Sequence, residues 1–324
     1  MAARRRKNVH PVDARSLREA AARLRRGELV AFPTETVYGL GANALDAHAV
    51  AKIFAAKGRP PDNPLIVHVS DEKMLRRVVR RVPAAAKALM RKFWPGPLTL
   101  ILSKKSSVPS RVTAGLPSVA VRMPEGVARD LVAAAGVPIA APSANLSGRP
   151  SPTTARHVAE DFPDVFVLDG GSTKHGVEST VVALDPPTIL RQGALSEDFL
   201  GKMVPGLRRA ASSGRVAPGI SPGTKYKHYA PSRPLILFLR KSSLLSYAQK
   251  HPRALILCPT PLSSLFPKQR TLPLGTSPEE IARGLFAALR TRRRGSELLV
   301  LAVPRRGLGR TIMDRLERAA TRIA

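Results

Sequence analysis

The feature that most constrains the fold of this chain is a run of short apolar segments that alternate with helical stretches over residues 29–207. The predicted strands of this region share a length of three to five residues and lie at 29–32, 65–69, 98–102, 118–122, 138–141, 166–168 and 180–184. Residues 46–56 are predicted to form a helix, with Asp46 as its N-cap and Gly58 just past its end. Such alternation is typical of α/β proteins, but these strands are too frequent for a repeat of one strand and one helix. We therefore expect an α/β fold with a twisted mixed sheet and flanking helices.

The composition changes at residues 210–234, which are crowded with Gly, Pro and Ser and have no sustained period, as is typical of a linker. After this segment the pattern resumes, with strands predicted at 235–239, 254–258 and 298–303 and helices at 242–250, 277–291 and 312–320. Ser277 followed by Pro278 is a common start of a helix. Strands separated by helices at this spacing favour a small parallel sheet. We therefore predict a first domain over residues 1–208, a linker over 209–233 and a smaller α/β domain over 234–324.

Two absences narrow the class of protein. No apolar run approaches the roughly 20 residues of a membrane-spanning helix, so we expect no membrane association. The single cysteine, Cys258, excludes a disulfide framework and any site with several cysteine ligands. Its position in a predicted strand indicates a buried, inert thiol. The Arg-rich residues 1–7 are interpreted as a short basic tail, and a cytoplasmic location is expected.

The charge of the chain is unusual, since 53 Lys and Arg residues face 23 Asp and Glu residues, a net charge of +30. Such a field attracts polyanions: nucleotides, RNA or anionic membrane surfaces. The arginines are spread through the chain, however, and a general bias in the composition of solvated faces explains the charge equally well. Both explanations stay open at this point.

The common signatures of nucleotide, hydrolase and metal sites are missing. The chain has neither of the glycine-rich phosphate loops, no nucleophile elbow, and no paired-Cys or His-Glu-x-x-His metal motif. Any nucleotide site must therefore be built in another way.

Two segments in the first half could build such a site. Residues 32–41, FPTETVYGLG, place hydroxyls and glycines at a strand end, where they can hold a small polar ligand or merely form a turn. In residues 57–68, KGRPPDNPLIVH, Lys57 offers a compact charge and Arg59 a two-pronged donor for phosphate oxygens. The alternative is that both cations only interact with the end of a helix dipole. His68, within an apolar strand, is by itself more typical of a core histidine.

Two further segments carry polar groups after strands. Arg122 ends an apolar alternation at 118–122 and is predicted to face a carboxylate or a phosphate. Residues 141–148, APSANLSG, permit close approach of the backbone, while Ser143 and Asn145 offer hydroxyl and amide contacts. Each segment alone is a weak signal.

Together, in this order and spacing, the segments resemble one family, the L-threonylcarbamoyladenylate synthases of the two-domain type. The resemblance covers nearly the whole chain from about residue 12. It implies a YrdC-like catalytic domain, a linker and a smaller C-terminal domain of Rossmann-like type. The motifs that carry it are FPTETVYGLGA, KGRPPDNPLIVHV, WPGPLT, APSANLSG, VESTVV, SPGTKYKHYAP and GLGRTIMDRLERAA.

The resemblance implies a nucleotidyltransferase that joins L-threonine, bicarbonate and ATP into L-threonylcarbamoyladenylate and pyrophosphate. Other enzymes then transfer the threonylcarbamoyl group to tRNA, so this transfer machinery is an expected partner, and direct contact with tRNA through the basic surface is a further expectation. The nucleophile is a carbamate formed on threonine, so no activated Ser, Cys or His is needed. Mg²⁺ is expected to be held mainly by the ATP phosphates, with no protein side chain as metal ligand.

The resemblance also assigns candidate site residues. Lys57 and Arg59 are the expected catalytic residues, gripping the phosphates. The further nucleotide-binding candidates are Asn63, Ser118, Asn145, Ser151, Arg191 and Tyr229. The threonine-binding candidates are Thr36, His68, Arg122, Ser143 and Ser179, with Arg122 taking the threonine carboxylate.

Some features of the sequence stay open. The linker is either a strap that closes over the site or a passive tether. Gln192 and Thr224 differ from the residues usual in the family, though neither change removes an expected contact. The high positive charge also leaves an alternative function, an RNA-binding module that has kept the fold, for which binding would be steeply salt-dependent and indifferent to threonine.

Overall fold

The computed structural model describes residues 8–210 and 228–324. Residues 1–7 and 211–227 lie outside the described part, and with them Thr224, most of the predicted linker and the basic tail. Within the described residues, no helix is both long enough and apolar enough to cross a membrane.

A large sheet of eleven strands forms the framework of the first two thirds of the chain. Its strands are β1 (Val9–Pro11), β2 (Val30–Phe32), β3 (Gly39–Asn43), β4 (Ile66–His68), β5 (Leu98–Ser103), β6 (Ser118–Arg122), β7 (Ile139–Ala140), β8 (Phe166–Asp169), β9 (Thr180–Leu184), β10 (Pro187–Arg191) and β11 (Arg208–Arg209). They lie in the order β1-β8-β2-β3-β7-β4-β6-β5-β9-β10-β11. Neighbours include parallel pairs such as β4 with β6 and antiparallel pairs such as β5 with β6. The prediction of a mixed sheet is therefore confirmed.

Eight helices flank this sheet among the described residues. They are α1 (Ala14–Arg25), α2 (Ala47–Lys57), α3 (Glu72–Val78), α4 (Ala84–Phe93), α5 (Ser110–Thr113), α6 (Val127–Ala135), α7 (Ala155–Asp161) and α8 (Glu197–Gly201). The side chain of Asp46 accepts hydrogen bonds from the first amides of α2, and Gly58 ends the helix in the left-handed conformation, with φ +59°. The sharp end of α2 fixes the direction in which the chain leaves Lys57.

The register of the central strands determines which polar residues meet. In the parallel pair β4 and β6, His68 is directly opposite Arg122, so the two strands end side by side. Strand β7 runs antiparallel to β4, with Ala140 opposite Val67, and the chain after it returns along β4. An isolated bridge then joins Ser143 to Gly39, at the start of β3. The chain after β7 therefore lies directly beside the start of β3.

A second, five-stranded sheet lies in the last third of the chain, and all its neighbouring strands are parallel. Its strands, in the order β14-β13-β15-β12-β16, are β12 (Leu235–Phe238), β13 (Leu255–Cys258), β14 (Thr271–Pro273), β15 (Leu298–Leu301) and β16 (Arg322–Ile323). The helices are α9 (Lys241–Lys250), α10 (Pro278–Leu289) and α11 (Gly309–Ala319), with short 3₁₀ turns at Thr260–Leu265 and Lys268–Arg270. Ser277 and Glu280 form a reciprocal capping box at α10, with Pro278 at its first position. The expected small parallel sheet is confirmed.

The two sheets pack through polar contacts made mainly by α10 and α11. Arg290, just after α10, donates to Asp161 at 2.6 Å and to the carbonyl oxygen of Pro150. On α11, the Thr311 hydroxyl donates to the carbonyl oxygen of Gly193 at 2.9 Å. These contacts dock the smaller sheet against the segments that follow β7 and β10.

Candidate active site

A cleft runs along β4 and collects residues from both ends of that strand. Its walls contain Pro64 and Leu65 at one end and His68 at the other. A strand rises about 3.3 Å per residue, so the cleft is on the order of 13 Å long in this direction. Ten of the predicted site residues line it: Thr36, Arg59, His68, Arg122, Ser143, Asn145, Ser151, Ser179, Arg191 and Tyr229.

Lys57 lies behind the cleft wall rather than in it. It is only 3% exposed, and its ammonium group donates to the backbone carbonyl oxygens of Ser143, at 2.6 Å, and Asn145. Burial, together with the nearby Arg59 guanidinium, holds the pKa of Lys57 well below its usual range. The sequence prediction had this ammonium on the phosphates; here it holds the loop that carries Ser143 and Asn145.

Arg59 lines the cleft at the same end. Its guanidinium donates to the carbonyl oxygens of Asn63, at 3.1 Å, and Pro64, at 2.8 Å. Across the cleft, the Ser143 hydroxyl donates to the side-chain oxygen of Asn145 at 2.5 Å. The Asn145 amide donates to backbone carbonyl oxygens, including that of Arg149 at 2.9 Å. This end of the cleft therefore gathers a guanidinium, a hydroxyl and an amide, group types that suit phosphate oxygens, and a phosphate that binds here has to compete with their acceptors within the protein.

The opposite end of the cleft is organised around Arg122. This guanidinium is buried and forms an ion pair with Glu35, which the sequence prediction did not assign. It also donates to the Thr36 hydroxyl at 2.9 Å and to the carbonyl oxygen of Gly96 at 3.1 Å. Nε and Nη1 of Arg122 are thus hydrogen-bonded within the protein, whereas Nη2 is close to Glu35 as an ion pair but makes no hydrogen bond among the described residues. A ligand carboxylate at Arg122 has to replace Thr36 or share the guanidinium with Glu35.

His68 lies next to Arg122 and is buried in the same wall. Burial and the Arg122 charge lower the pKa of His68 to about 3. Its Nδ1 atom is buried and has no hydrogen-bond partner among the described residues. The neutral imidazole is thus able to donate to or accept from a ligand hydroxyl or carbonyl, although it does not carry charge at neutral pH.

A third group of polar residues comes from the chain around β9 and the end of β10. The Arg191 guanidinium donates to the Ser179 hydroxyl at 3.1 Å and to the Ser179 carbonyl oxygen. The Ser151 hydroxyl donates to Glu178 at 2.6 Å. Burial alone raises the pKa of Glu178, but Arg315, Arg191 and Ser151 outweigh it and lower that pKa to about 2. Glu178 is therefore a carboxylate that the protein itself neutralises.

The chain re-enters the described part at His228 and Tyr229, both of which line the cleft. Tyr229 has a positive φ of 69°, a rare conformation for a residue with a side chain. Its ring lies 5.1 Å from that of Phe286, so the residue is held by aromatic packing. Burial, with a contribution from Arg59, lowers the pKa of His228 to about 4.

Besides Lys57, two further predicted residues lie away from the cleft walls. Asn63 is buried in the turn before β4, with its carbonyl oxygen bound by Arg59. Ser118 begins β6 opposite Ser103, four residues before Arg122, and therefore lies at the far end of that strand. Sequence reasoning did not assign several residues that form or support the walls: Thr34, Glu35, Arg149, Glu178, His228 and Arg315. Five of them, all except Arg149, do lie inside motifs that were singled out in the sequence, FPTETVYGLG, VESTVV, SPGTKYKHYAP and GLGRTIMDRLERAA.

The described residues contain no group of three or more His, Cys, Asp and Glu side chains placed to hold a metal ion. Glu178, the carboxylate in the cleft wall, is bound by Ser151 and Arg315. The cleft therefore supplies cations and neutral hydrogen-bonding groups, which suits a ligand that brings its own negative charge.

Comparison with known proteins shows similarity over nearly the whole chain. A family model described as "Telomere recombination" matches residues 22–193. A second model, described as "Threonylcarbamoyl-AMP synthase, C-terminal domain", matches residues 196–321. Proteins named threonylcarbamoyl-AMP synthase from Pyrococcus abyssi and Bacillus subtilis are 45% and 44% identical to this chain, covering 94% and 93% of it and 94% and 92% of their own lengths.

A solved structure is similar over almost the same length. The crystal structure of Pyrococcus abyssi Sua5 complexed with L-threonine superposes with a TM-score of 0.90 at 43% identity, covering 97% of this chain and 98% of its own. The similarity thus extends over both sheets and not over the first one alone. The chain belongs to the threonylcarbamoyl-AMP synthase family, in the form that carries the family's C-terminal domain.

Proposed function

We propose that the cleft along β4 is where this chain joins L-threonine, bicarbonate and ATP into threonylcarbamoyl-AMP and pyrophosphate. The observation that carries the proposal is the convergence of Arg59, Ser143 and Asn145 at one end of the cleft with His68 and Arg122 at the other. The relative from Pyrococcus abyssi is described as a complex with L-threonine, which supports a threonine site within the same fold.

The chemistry needs positioning rather than a nucleophile from the protein. The threonine amine captures bicarbonate as a carbamate with loss of water. A carbamate oxygen then attacks the α-phosphorus of ATP, and pyrophosphate leaves. Charge on the phosphate oxygens grows and moves during this step, so fixed donors that face those oxygens lower the barrier. This mechanism accounts for a cleft of Arg, Ser and Asn without a catalytic triad.

The phosphates are assigned to the end of the cleft that holds Arg59, Ser143 and Asn145. Lys57 acts on this end through the backbone of the loop, so we propose that it positions Ser143 and Asn145. We propose that Ser151, Arg191 and Tyr229, which also line the cleft, contact the nucleoside. Mg²⁺ that accompanies ATP would be held mainly by phosphate oxygens and water, since Glu178 is already neutralised by Arg315.

Threonine is assigned to the end that holds Arg122 and His68. We propose that its carboxylate approaches Arg122 in place of Thr36 or alongside Glu35, with Ser179 close by. The neutral His68 would bind an uncharged group such as the threonine hydroxyl. The amine then points along β4 towards the phosphate end, as the reaction requires.

One experiment tests the proposal. The full-length protein is incubated with ATP, Mg²⁺, bicarbonate and each amino acid in turn, and the adenylate is identified by mass spectrometry. We expect an adduct with threonine that depends on bicarbonate, and a loss on the order of 100-fold in its rate for Arg59→Ala. Arg129→Ala is the matched control, because Arg129 also donates to a backbone carbonyl oxygen, that of Ser70, but does not line the cleft. An unchanged rate for Arg59→Ala would refute the assignment of the phosphate end.

The product would pass to the enzymes that transfer the threonylcarbamoyl group to tRNA, in the cytoplasm.

We also propose a direct RNA contact, favoured by a groove between α3 and α4. Five basic side chains and one acidic side chain line this groove: Arg76, Arg80, Arg81, Lys87, Arg91 and Glu72. Leu75, Met90 and Trp94 lie between them. Such an excess of positive charge fits the phosphate backbone of RNA.

We also propose the division of the chain into residues 1–208, 209–233 and 234–324. It is supported by the two separate sheets, whose strands lie within residues 9–209 and 235–323. The role of the connecting segment as strap or tether concerns residues outside the described part.

A further inference from the structure

The motif GLGRTIMDRLERAA forms α11 and the turn before it, and none of its residues has been assigned to a substrate so far. Within this helix Arg315 is the least expected residue, since a guanidinium with 1% exposure is buried between the two sheets. Arg315 does not line the cleft, but it contacts two residues that do, Glu178 and Tyr229. The helix therefore reaches the back of the cleft wall.

The contacts of Arg315 occupy its whole guanidinium group. Its Nε donates to Glu178 at 2.9 Å, and its Nη2 donates to the carbonyl oxygen of Gln192 at 2.7 Å. Its Nη1 pairs with Asp314, the preceding residue on the helix. Removal of one partner of a buried ion pair leaves an uncompensated charge, so the orientation of Glu178 depends on Arg315.

The same guanidinium supports Tyr229. The Arg315 Cζ atom lies 5.2 Å from the centroid of the Tyr229 ring, within the range of a cation–π interaction. Tyr229 adopts a left-handed backbone conformation, which persists only where surrounding groups hold it. Phe286 of α10 and the adjacent His228 also contact the ring, so the helices of the smaller sheet supply a cation and an aromatic ring to Tyr229.

We infer that Arg315 is a positioning residue through which the C-terminal part of the chain shapes the nucleotide side of the cleft. It fixes Glu178, which in turn holds the Ser151 hydroxyl, and it fixes the ring of Tyr229. This inference rests on the proposed function, because Ser151 and Tyr229 are there assigned to the nucleotide.

A merely structural role for Arg315, as one of several links between the two sheets, makes a different prediction. Arg310 lies on the same helix and also crosses to the first sheet's part of the chain, pairing with Glu197 at 2.8 Å. Neither Arg310 nor Glu197 lines the cleft. Arg310→Met thus removes an ion pair between the same two parts and leaves the cleft wall alone.

The test compares Arg315→Met, Arg315→Lys and Arg310→Met in the full-length protein. Calorimetry measures the affinity for a non-hydrolysable ATP analogue with Mg²⁺, and steady-state kinetics give KM for ATP and for threonine. We expect Arg315→Met to weaken binding of the analogue on the order of 10- to 100-fold, because small displacements of the residues that contact a ligand have effects of this size. The threonine KM should change less than about threefold, and Arg310→Met should bind the analogue within about twofold of wild type.

Arg315→Lys keeps the charge but lacks the planar fork, so it should fold and still lose about tenfold in analogue affinity. If Arg315→Met does not fold, Arg315→Lys takes its place in the comparison of analogue affinities. Equal analogue affinity in Arg315→Lys and Arg310→Met, or equal losses for ATP and threonine, would overturn the inference. If wild type forms no adenylate, the proposed function fails, whereas the comparison of analogue affinities still decides the role of Arg315.

Discussion

At the scale of single residues, the buried cations of the cleft divide into those that face it and those that support it. Arg59 lines the cleft, whereas the ammonium group of Lys57 is bound to the carbonyl oxygens of Ser143 and Asn145. Since both residues come from one short motif, their spacing alone gives no means of separating the two roles. The separation follows from the left-handed turn at Gly58, which changes the direction of the chain between them.

Substitution of Lys57 by Met tests the supporting role. The variant leaves two carbonyl oxygens without their donor, so we expect the loop that carries Ser143 and Asn145 to shift and the rate of adenylate formation to fall on the order of 100-fold. The unfolding free energy should change by less than about 2 kcal/mol, because loss of the hydrogen bonds is offset by removal of a buried charge. Steady-state kinetics and urea unfolding measure the two quantities.

Lys52→Met is the control for Lys57→Met. Lys52 lies on the same helix and donates to the carbonyl oxygen of Gly27 at 2.8 Å, but it does not line or support the cleft. The rate of adenylate formation by Lys52→Met should remain within about twofold of wild type. Full activity in Lys57→Met would show that the loop does not depend on this ammonium group.

The histidines of the cleft make stability depend on pH in a defined direction. The pKa of His68 is lowered from 6.5 to about 3, mainly by burial. Between these two pH values His68 is protonated in the unfolded chain but neutral in the folded chain. The free energy of unfolding should therefore fall as the pH drops from 6.5 towards 3. His228, with its pKa lowered to about 4, acts in the same direction.

Replacement of His68 by Gln removes one of these two titratable groups. Between pH 6 and 4 we expect the slope of unfolding free energy against pH to be smaller than in wild type by up to about 1.4 kcal/mol per pH unit. Urea titrations at several pH values give the slope. His48→Gln is the control, because His48 is exposed on α2. A slope that His68→Gln leaves unchanged would contradict a neutral His68 in the folded state.

At the scale of the elements, the apolar pattern predicted the long central strands well because burial dictates their sequence. Strands β6 and β9 occur at the predicted residues, and α2 has its predicted cap and end. Strand β3 was not predicted, since its sequence GLGAN has little preference for a strand. It forms because Gly41 lets Phe32 and Ile139 pack against its backbone, where a Cβ atom would lie 2.6 Å and 2.8 Å from them. That reason is tertiary and is absent from the local pattern.

The candidate site likewise combines features that the local sequence predicts with features that depend on tertiary contacts. The motifs located the residues that face the cleft, because a strand end followed by small polar residues is visible in the sequence. The partners behind them were not predictable, since the contact of Glu178 with Arg315 spans 137 positions and depends on how the second sheet docks. The ion pair of Arg122 with Glu35 likewise joins residues from separate segments.

Gly193 is the point where β10 leaves the sheet and touches the start of β9. A Cβ atom there would lie 2.3 Å from the backbone of Ser179 and Thr180, and neither backbone can move aside cheaply. We expect Gly193→Ala to lower the unfolding free energy by about 3 kcal/mol, the upper end for overpacking. It should also weaken ATP binding, since Glu178, which holds the Ser151 hydroxyl, lies at this contact.

Gly201→Ala is the control for this substitution. Gly201 ends α8, and a Cβ atom there meets nothing within 4 Å. Alanine at this position should change stability by less than about 1 kcal/mol, in the stabilising direction. Urea unfolding of both variants makes the comparison. Equal stability of the two variants would mean that the β9–β10 contact adjusts more freely than the geometry indicates.

At the scale of the whole molecule, the net charge of +30 exceeds what the cleft needs. The groove between α3 and α4 concentrates part of that charge. Of its five basic residues, Arg76 pairs with Glu72 at 3.4 Å in a solvent-exposed contact. With Glu72 as the one acidic residue of its lining, the groove keeps a net charge of 5 − 1 = +4 for a partner. General composition bias and a specific RNA surface make different predictions for this groove.

The discriminating experiment replaces Arg76, Arg81, Lys87 and Arg91 together by Gln and measures tRNA binding against salt concentration. Each phosphate contact contributes roughly 0.7 to 0.9 to the slope of log K against log salt, so loss of four contacts should reduce the slope by about three. The control replaces four exposed basic residues of the second sheet's region by Gln: Arg240, Lys241, Lys250 and Arg253. It removes the same charge and should reduce the slope by less than about one. Adenylate formation should stay unchanged in both variants, because neither set of residues lines the cleft. Equal reductions of the slope in the two variants would mean that RNA binding depends only on the overall charge of the molecule.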